Sequence, residues 1–121
     1  MYTISKEFSF SAAHSLRNLP ASHPCKRMHG HNYKVILEIS GTHLNEAGML
    51  IDYRALDFLK EHLEYKYDHL CLNDVMSENP TAENLAKEIA LFCREKLKNQ
   101  DVKIKVTVCE TEKTKASWTE D

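Results

Sequence analysis

The chain has 121 residues, 42% of them apolar and 28% charged, with a formal net charge of −2. That length supports one domain with its own core, spanning residues 1–121, and is too short for two. The near-neutral balance excludes bulk electrostatic attraction to nucleic acid or anionic membranes, and no apolar run approaches the roughly 18 to 20 residues that cross a bilayer.

The opening "MYTISKEFSF" lacks the basic stretch and apolar core of a signal peptide, which predicts a cytoplasmic protein. Residues 2 to 14 alternate: Tyr2, Ile4, Phe8, Phe10, Ala12 and His14 share one parity, with Thr3, Ser5, Glu7, Ser9 and Ser11 on the other. A period of two predicts a strand with one buried face. "LPASHP", with its two prolines, reads as a loop. Residues 31 to 40 alternate again, placing His31, Tyr33, Val35, Leu37 and Ile39 on one face, and Gly41 closes that strand. "NEAGM" carries turn residues.

From Ala55 the period becomes helical, with Leu56, Leu59, Leu63 and Tyr67 on one stripe. "NPTAENLAKEIALFCREKLK" predicts a second helix with Asn79 as cap and Pro80 in its first turn. Its buried stripe is Leu85, Ile89, Phe92, Cys93 and Leu97. A third alternating run turns Val102, Ile104, Val106 and Val108 inward and Lys103, Lys105 and Thr107 outward; "KASWTE" supplies a short fourth strand. The order ββααββ predicts an α+β fold, an antiparallel sheet with two helices on one face. The other face is polar along every strand, so it meets either water or the wet lumen of an oligomer.

Cys25, Cys71, Cys93 and Cys109 are scattered without a C-x-x-C pair, which predicts reduced thiols. Cys93 and Cys109 fall inside apolar patterns and read as inert core residues.

The chemistry concentrates in "HPCKRMHGHNYK". Residues two apart on a strand point the same way, so His29 and His31 present two imidazoles together, with Gly30 leaving the backbone between them uncrowded. An isolated H-x-H is often only a pair of surface histidines. His14, however, ends the first strand on its apolar parity. If the two strands pair as a hairpin, three imidazoles converge at one sheet end. Three nitrogen ligands with an open fourth position describe a catalytic zinc site. His23, His43 and His62 show no such convergence and read as loop or helix-surface residues.

Cys25 precedes Lys26 and Arg27; neighbouring cations and a nearby metal favour a thiolate able to act as base or nucleophile, the alternative being an idle loop cysteine. Asp68 beside His69 is a carboxylate able to hold an imidazole tautomer and tune proton movement at Cys25, although such neighbours also arise by chance. Glu110 continues the inward parity of the third strand. A carboxylate there either pairs with the N–H edge of a ligand or marks the point where the strand reaches solvent. Arg17, Lys26 and Arg27 read first as a solvated basic surface.

Together these residues resemble the family of 6-pyruvoyltetrahydropterin synthases and bacterial 6-carboxytetrahydropterin synthases. The resemblance covers nearly the whole chain, through "FSFSAAH", "CKRMHGHNYKV", "LIDY", "YDHLCLND", "NPTAENLA" and "CET". It implies a T-fold whose sheets join into a barrel in a homo-oligomer, commonly a hexamer built from two trimers. It further implies zinc on His14, His29 and His31, Cys25 as catalytic proton acceptor with Asp68 and His69 as relay partners, and Glu110 as anchor of the pterin edge. Thr81 and Glu83 align with a stretch that helps form the pterin pocket between subunits. Three residues separate Cys25 from His29, as in the bacterial carboxy-producing enzymes. The implied reaction converts 7,8-dihydroneopterin triphosphate to 6-carboxy-5,6,7,8-tetrahydropterin, acetaldehyde and triphosphate, on the way to queuosine. Alternatives are the pyruvoyl-forming synthase and a non-catalytic zinc- or pterin-binding protein of the same fold. No nucleic-acid or membrane partner is expected.

Overall fold

In a computed structural model describing residues 1–121, the two alternating N-terminal runs form strands β1 (Tyr2–His14) and β2 (His29–Gly41). They pair antiparallel from Tyr2↔Gly41 to His14↔His29, so β2 begins two residues before its apolar alternation suggests. Strand β3 (Lys103–Cys109) pairs with β2, and β4 (Lys115–Thr119) with β3, giving one antiparallel sheet in the order β1-β2-β3-β4. The expected α+β sheet-and-helix architecture is what the chain adopts.

The helices cover one face. A 3-10 turn at Tyr53–Leu56, opened by Asp52 accepting from the Arg54 N–H, leads into α1 (Phe58–Lys66). A single-turn α2 (Leu72–Val75) follows, and then the long α3 (Ala82–Lys96). Val35, Leu37, Ile39, Ile104, Val106 and Val108 from the sheet are buried against Leu56, Leu59, Leu63, Tyr67, Leu85, Ile89 and Cys93 from the helical layer. The apolar parities predicted for these elements are the ones buried, and that burial is the main stabilising term.

Four details differ from expectation. Asn79 does not cap α3. Thr81 does, its hydroxyl accepting from the Asn84 N–H at 3.1 Å, because both ends of the Asn79 amide are engaged on Arg17. Thr107 points away from the helices yet is buried, because β3 is an interior strand and its hydroxyl meets Ser117 at 2.8 Å. Cys109 is only half-buried and borders a cleft, whereas Cys93 lies in the core as expected. His62 is half-buried rather than on the helix surface, stacked on Phe92 with ring centroids 3.5 Å apart.

The outer edge of β1 is free only in its first half. Beyond Phe10, residues 68–71 run alongside it: the Ser11 N–H donates to Asp68 Oδ1 (2.9 Å), the His69 N–H to the Ser11 carbonyl (2.6 Å) and the Ala13 N–H to the Leu70 carbonyl (3.1 Å). This covered edge brings the segment after α1 beside the histidines. No helix is long and apolar enough to cross a membrane.

Candidate metal centre and adjoining clefts

The hairpin register creates the centre. His14 stands opposite His29, and His31 lies two residues further along β2, opposite Ala12. Partners across an antiparallel pair project to the same side, so all three imidazoles extend the apolar face past the helical layer. One potential ligand atom from each ring lies within 4.8 Å of the others. His14 is 1% exposed, while His29 and His31 are half-buried.

The hydrogen bonds define which nitrogens face inward. His14 Nδ1 donates to the Pro80 carbonyl (2.7 Å) and His29 Nδ1 to the Arg27 carbonyl (2.8 Å). A carbonyl only accepts, so in each neutral ring the proton is on Nδ1 and Nε2 carries a lone pair, which at His14 the Tyr33 hydroxyl approaches at 3.4 Å. The Nε2 atoms of His14 and His29 are 3.1 Å apart, and His31 Nε2 is buried with no hydrogen-bond partner. Converging lone pairs without a proton between them fit a bound cation, and imidazole nitrogens suit a transition-series ion. Such outward Nδ1 bonds are the usual second layer of a metal site. Burial, opposed by the Pro80 bond and the Glu110 charge, holds the His14 pKa below the ordinary histidine value and keeps this ring neutral. Tyr33, fully buried, packs edge-on against His14 and His31 and fixes the floor of the site.

Glu110 lies just beyond β3, with Oε2 3.7 Å from His31 Nε2 and its side chain 25% exposed. Both residues border a cleft of about 880 Å³ that also includes Asn32, Cys109 and Lys115. The carboxylate is therefore neither in the core nor free in solvent, but directed into an opening beside the three histidines. Glu83 is exposed and shares a smaller hollow with Glu110 at the start of α3. Thr81 sits beside that hollow, but its hydroxyl is committed to the helix cap.

Cys25 is half-buried in the 3-10 turn Pro24–Lys26. His23 Nδ1 accepts from its N–H, a local role not foreseen for that histidine, and its carbonyl accepts from Leu16, two residues past His14. Asp68 and His69 form their pair elsewhere, on the β1 edge. Asp68 Oδ2 is 2.9 Å from His69 Nδ1, and the Ser11 N–H, followed by His69, holds the Asp68 pKa below the usual carboxylate value. The His69 side chain is 83% exposed, and its backbone has a φ of +60°, the left-handed region. Within one chain no hydrogen bond joins this pair to Cys25. His69, His31 and Gly30 instead border a second hollow of about 520 Å³. A side-chain carbon at Gly30 would make only ordinary contact, 3.5 Å from the Ala12 carbonyl, so that glycine relieves no crowding.

Sequence and structure comparisons agree on kinship. A family model described as 6-pyruvoyl tetrahydropterin synthase matches residues 3–121. The 6-carboxy-5,6,7,8-tetrahydropterin synthase of Synechocystis sp. is 36% identical over 96 residues, covering 71% of this chain and 70% of that protein. A protein of Archaeoglobus fulgidus provisionally given the same name is 43% identical over 81 residues, 67% of this chain and 66% of its own length. The Caenorhabditis elegans 6-pyruvoyl tetrahydropterin synthase structure superposes with a TM-score of 0.86 at 26% identity, covering 99% of this chain and 96% of that one.

Proposed function

Because the chain belongs to the 6-pyruvoyl tetrahydropterin synthase family, we propose that it is a zinc-dependent carbon–carbon lyase, a 6-carboxy-5,6,7,8-tetrahydropterin synthase acting on 7,8-dihydroneopterin triphosphate. The observation that carries this reading is the pairing of convergent histidine nitrogens with a carboxylate 3.7 Å from His31, both facing one cleft. The product branch is supported by the three residues between Cys25 and His29 and by the carboxy-forming relatives. That product places the reaction in queuosine biosynthesis.

His14, His29 and His31 would hold the ion, and zinc bound there would supply Lewis acidity toward oxygens of the substrate's three-carbon side chain. Glu110 accepts hydrogen bonds from the adjacent N–H donors of the pterin ring and orients it, a charge-assisted interaction in a partly enclosed site. Cys25 takes and returns protons at the side-chain carbons while hydrogen is redistributed between side chain and ring. Asp68 keeps the proton of His69 on Nδ1, leaving Nε2 free to exchange one with the thiol. Triphosphate departs, and water then adds at the first side-chain carbon as its bond to the second breaks in a retro-aldol-like cleavage, which leaves the carboxylate on the ring and frees acetaldehyde. Glu83 shares the smaller hollow with Glu110, the ring-binding carboxylate, and Thr81 precedes it at the helix cap.

His69 is exposed and makes no hydrogen bond to its own chain's Cys25, which favours a relay assembled between copies. A second chain brings its Asp68–His69 edge to this chain's thiol, consistent with a homo-oligomer of trimers closing a barrel. Incubating the zinc-loaded protein with dihydroneopterin triphosphate tests the assignment: acetaldehyde with carboxytetrahydropterin supports it. A pyruvoyl pterin, the activity in the name of the Caenorhabditis relative, would move the chain to the other branch. No product would leave a binding protein.

A further inference from the structure

The segment following His14 is held on both sides although it belongs to no regular element. On one side the Leu16 N–H donates to the Cys25 carbonyl at 2.9 Å. On the other, two side-chain amides act as strand partners. The Ser15 N–H donates to Asn73 Oδ1 (2.9 Å) while Asn73 Nδ2 donates to the Ser15 carbonyl (2.8 Å). The Arg17 N–H donates to Asn79 Oδ1 (2.8 Å) while Asn79 Nδ2 donates to the Arg17 carbonyl (3.0 Å). Each amide thus makes the reciprocal two-bond contact that a neighbouring strand would make, and each has its orientation fixed by using both its acceptor and its donor.

Asn79 has a second consequence because Pro80 follows it. The Asn79 carbonyl accepts from the Thr81 N–H (2.7 Å) and from Asn84 Nδ2 (2.9 Å), which tie this loop to the first turn of α3. Arg17 adds a bond from Nη2 to the Glu78 carbonyl (2.9 Å). The side chain of Asn79 therefore anchors the loop to the segment that follows His14, while its backbone anchors it to the helix. Between those anchors the Pro80 carbonyl is aimed at His14 Nδ1. The peptide plane of that carbonyl is shared with the Thr81 N–H, so the bond from Thr81 to the Asn79 carbonyl helps to set the direction in which the Pro80 carbonyl points.

We propose that Asn79 is a positioning residue for the metal centre. By clamping residues 78–81 to Arg17 it seats the Pro80 carbonyl on His14, fixing that ring's tautomer and direction. The proposal rests on the reading of His14 as a metal ligand, and its test uses no pterin. Cobalt(II), whose visible bands report ligand geometry, is titrated into wild type, Asn79→Ala and the control Asn45→Ala, each shown to be folded by circular dichroism. Asn45 also holds backbone through its side chain, its Oδ1 accepting from the Ala47 and Met49 N–H groups, in a turn that contributes nothing to the site.

Loss of an outer-layer partner typically weakens metal binding about 10- to 100-fold. Asn79→Ala is expected to weaken cobalt binding by that factor and to change its absorption bands, with Asn45→Ala unchanged. If Asn79→Ala does not fold, Asn79→Asp keeps the acceptor for Arg17 and loses only the donor, and a smaller loss in the same direction is expected. Wild-type affinity and spectrum in a folded Asn79 variant overturn the proposal and leave the pterin assignment standing. Weakened cobalt binding by Asn79→Ala, alongside a wild-type protein that yields no pterin product in the separate turnover assay, supports the proposal and overturns the pterin assignment. A wild-type protein that binds no cobalt at the histidines overturns both.

Discussion

The Nε2 atoms of His14 and His29 lie 3.1 Å apart with no proton between them, since each ring spends its proton on a backbone carbonyl through Nδ1. Without a cation two lone pairs oppose each other, and with one they become ligands. Chelation is therefore expected to lower the melting temperature and zinc to restore it. At a hundredfold excess over Kd the gain is about 2.7 kcal/mol. In His29→Ala the difference between chelated and zinc-loaded protein should vanish, as differential scanning calorimetry would reveal.

Every hydrogen bond of Cys25 runs through its backbone and none through its thiol, so the alanine variant is expected to fold. Cys25→Ala is expected to retain zinc, by elemental analysis, while turnover falls by about 10²- to 10⁴-fold, the usual contribution of a positioned acid–base group. Full turnover in a zinc-replete Cys25→Ala protein would remove the thiol from the mechanism.

Glu110→Gln keeps the shape but replaces an anionic acceptor with an amide that presents donors to donors. Charged hydrogen bonds contribute roughly 1.5–3 kcal/mol, so kcat/KM should fall about 10- to 100-fold. Zinc content should not change, because the carboxylate stands beside His31 rather than among the ligands.

His69 occupies the left-handed region, which asparagine tolerates and β-branched residues do not. His69→Asn should melt within a few degrees of wild type and yet lose turnover, whereas His69→Val should lose both. Equal turnover in His69→Asn and wild type would show that the imidazole carries no proton.

The pKa of His62 is lowered by burial and then by Lys66, with Lys96 adding to the effect and Glu88 opposing it. The unfolded chain therefore takes up this proton first. Stability from His62 is complete above about 6.5, declines as pH falls through that value and levels off only below the native pKa. Denaturant titrations of His62→Gln should give a shallower loss of stability on acidification than wild type, whatever the change at neutral pH. Parallel slopes would contradict the assignment.

Much of this was legible from parity alone. The alternation of Phe8, Phe10 and Ala12 fixed the side on which His14 projects, and the H-x-H spacing did the same for β2, so convergence needed only hairpin pairing. Glu110 likewise followed from the inward run of β3. Pairings between side-chain amides and distant backbone were invisible. Asn79 reads locally as a helix cap, and only the fold brings it to Arg17, 62 positions away in sequence. The single turn of α2 is too short to show a period. His62 looked solvent-facing because its partner Phe92 belongs to another helix. That no hydrogen bond joins His69 to Cys25 within one chain has no sequence signature either, since spacing along a chain does not say which residues meet.

The half-covered edge of β1 has one more consequence. Outward-facing amides alternate along a strand, so Thr3, Ser5, Glu7 and Ser9 remain open for main-chain pairing, while Ser11 and Ala13 are already partnered by residues 68–70 and Ser15 and Arg17 by the two asparagines. Any sheet continuing from one copy into the next across this edge must end before Ser11. One strand is thereby divided in two: its first half is open to further main-chain pairing, while pairing over its second half would first have to break bonds that the folded chain already makes.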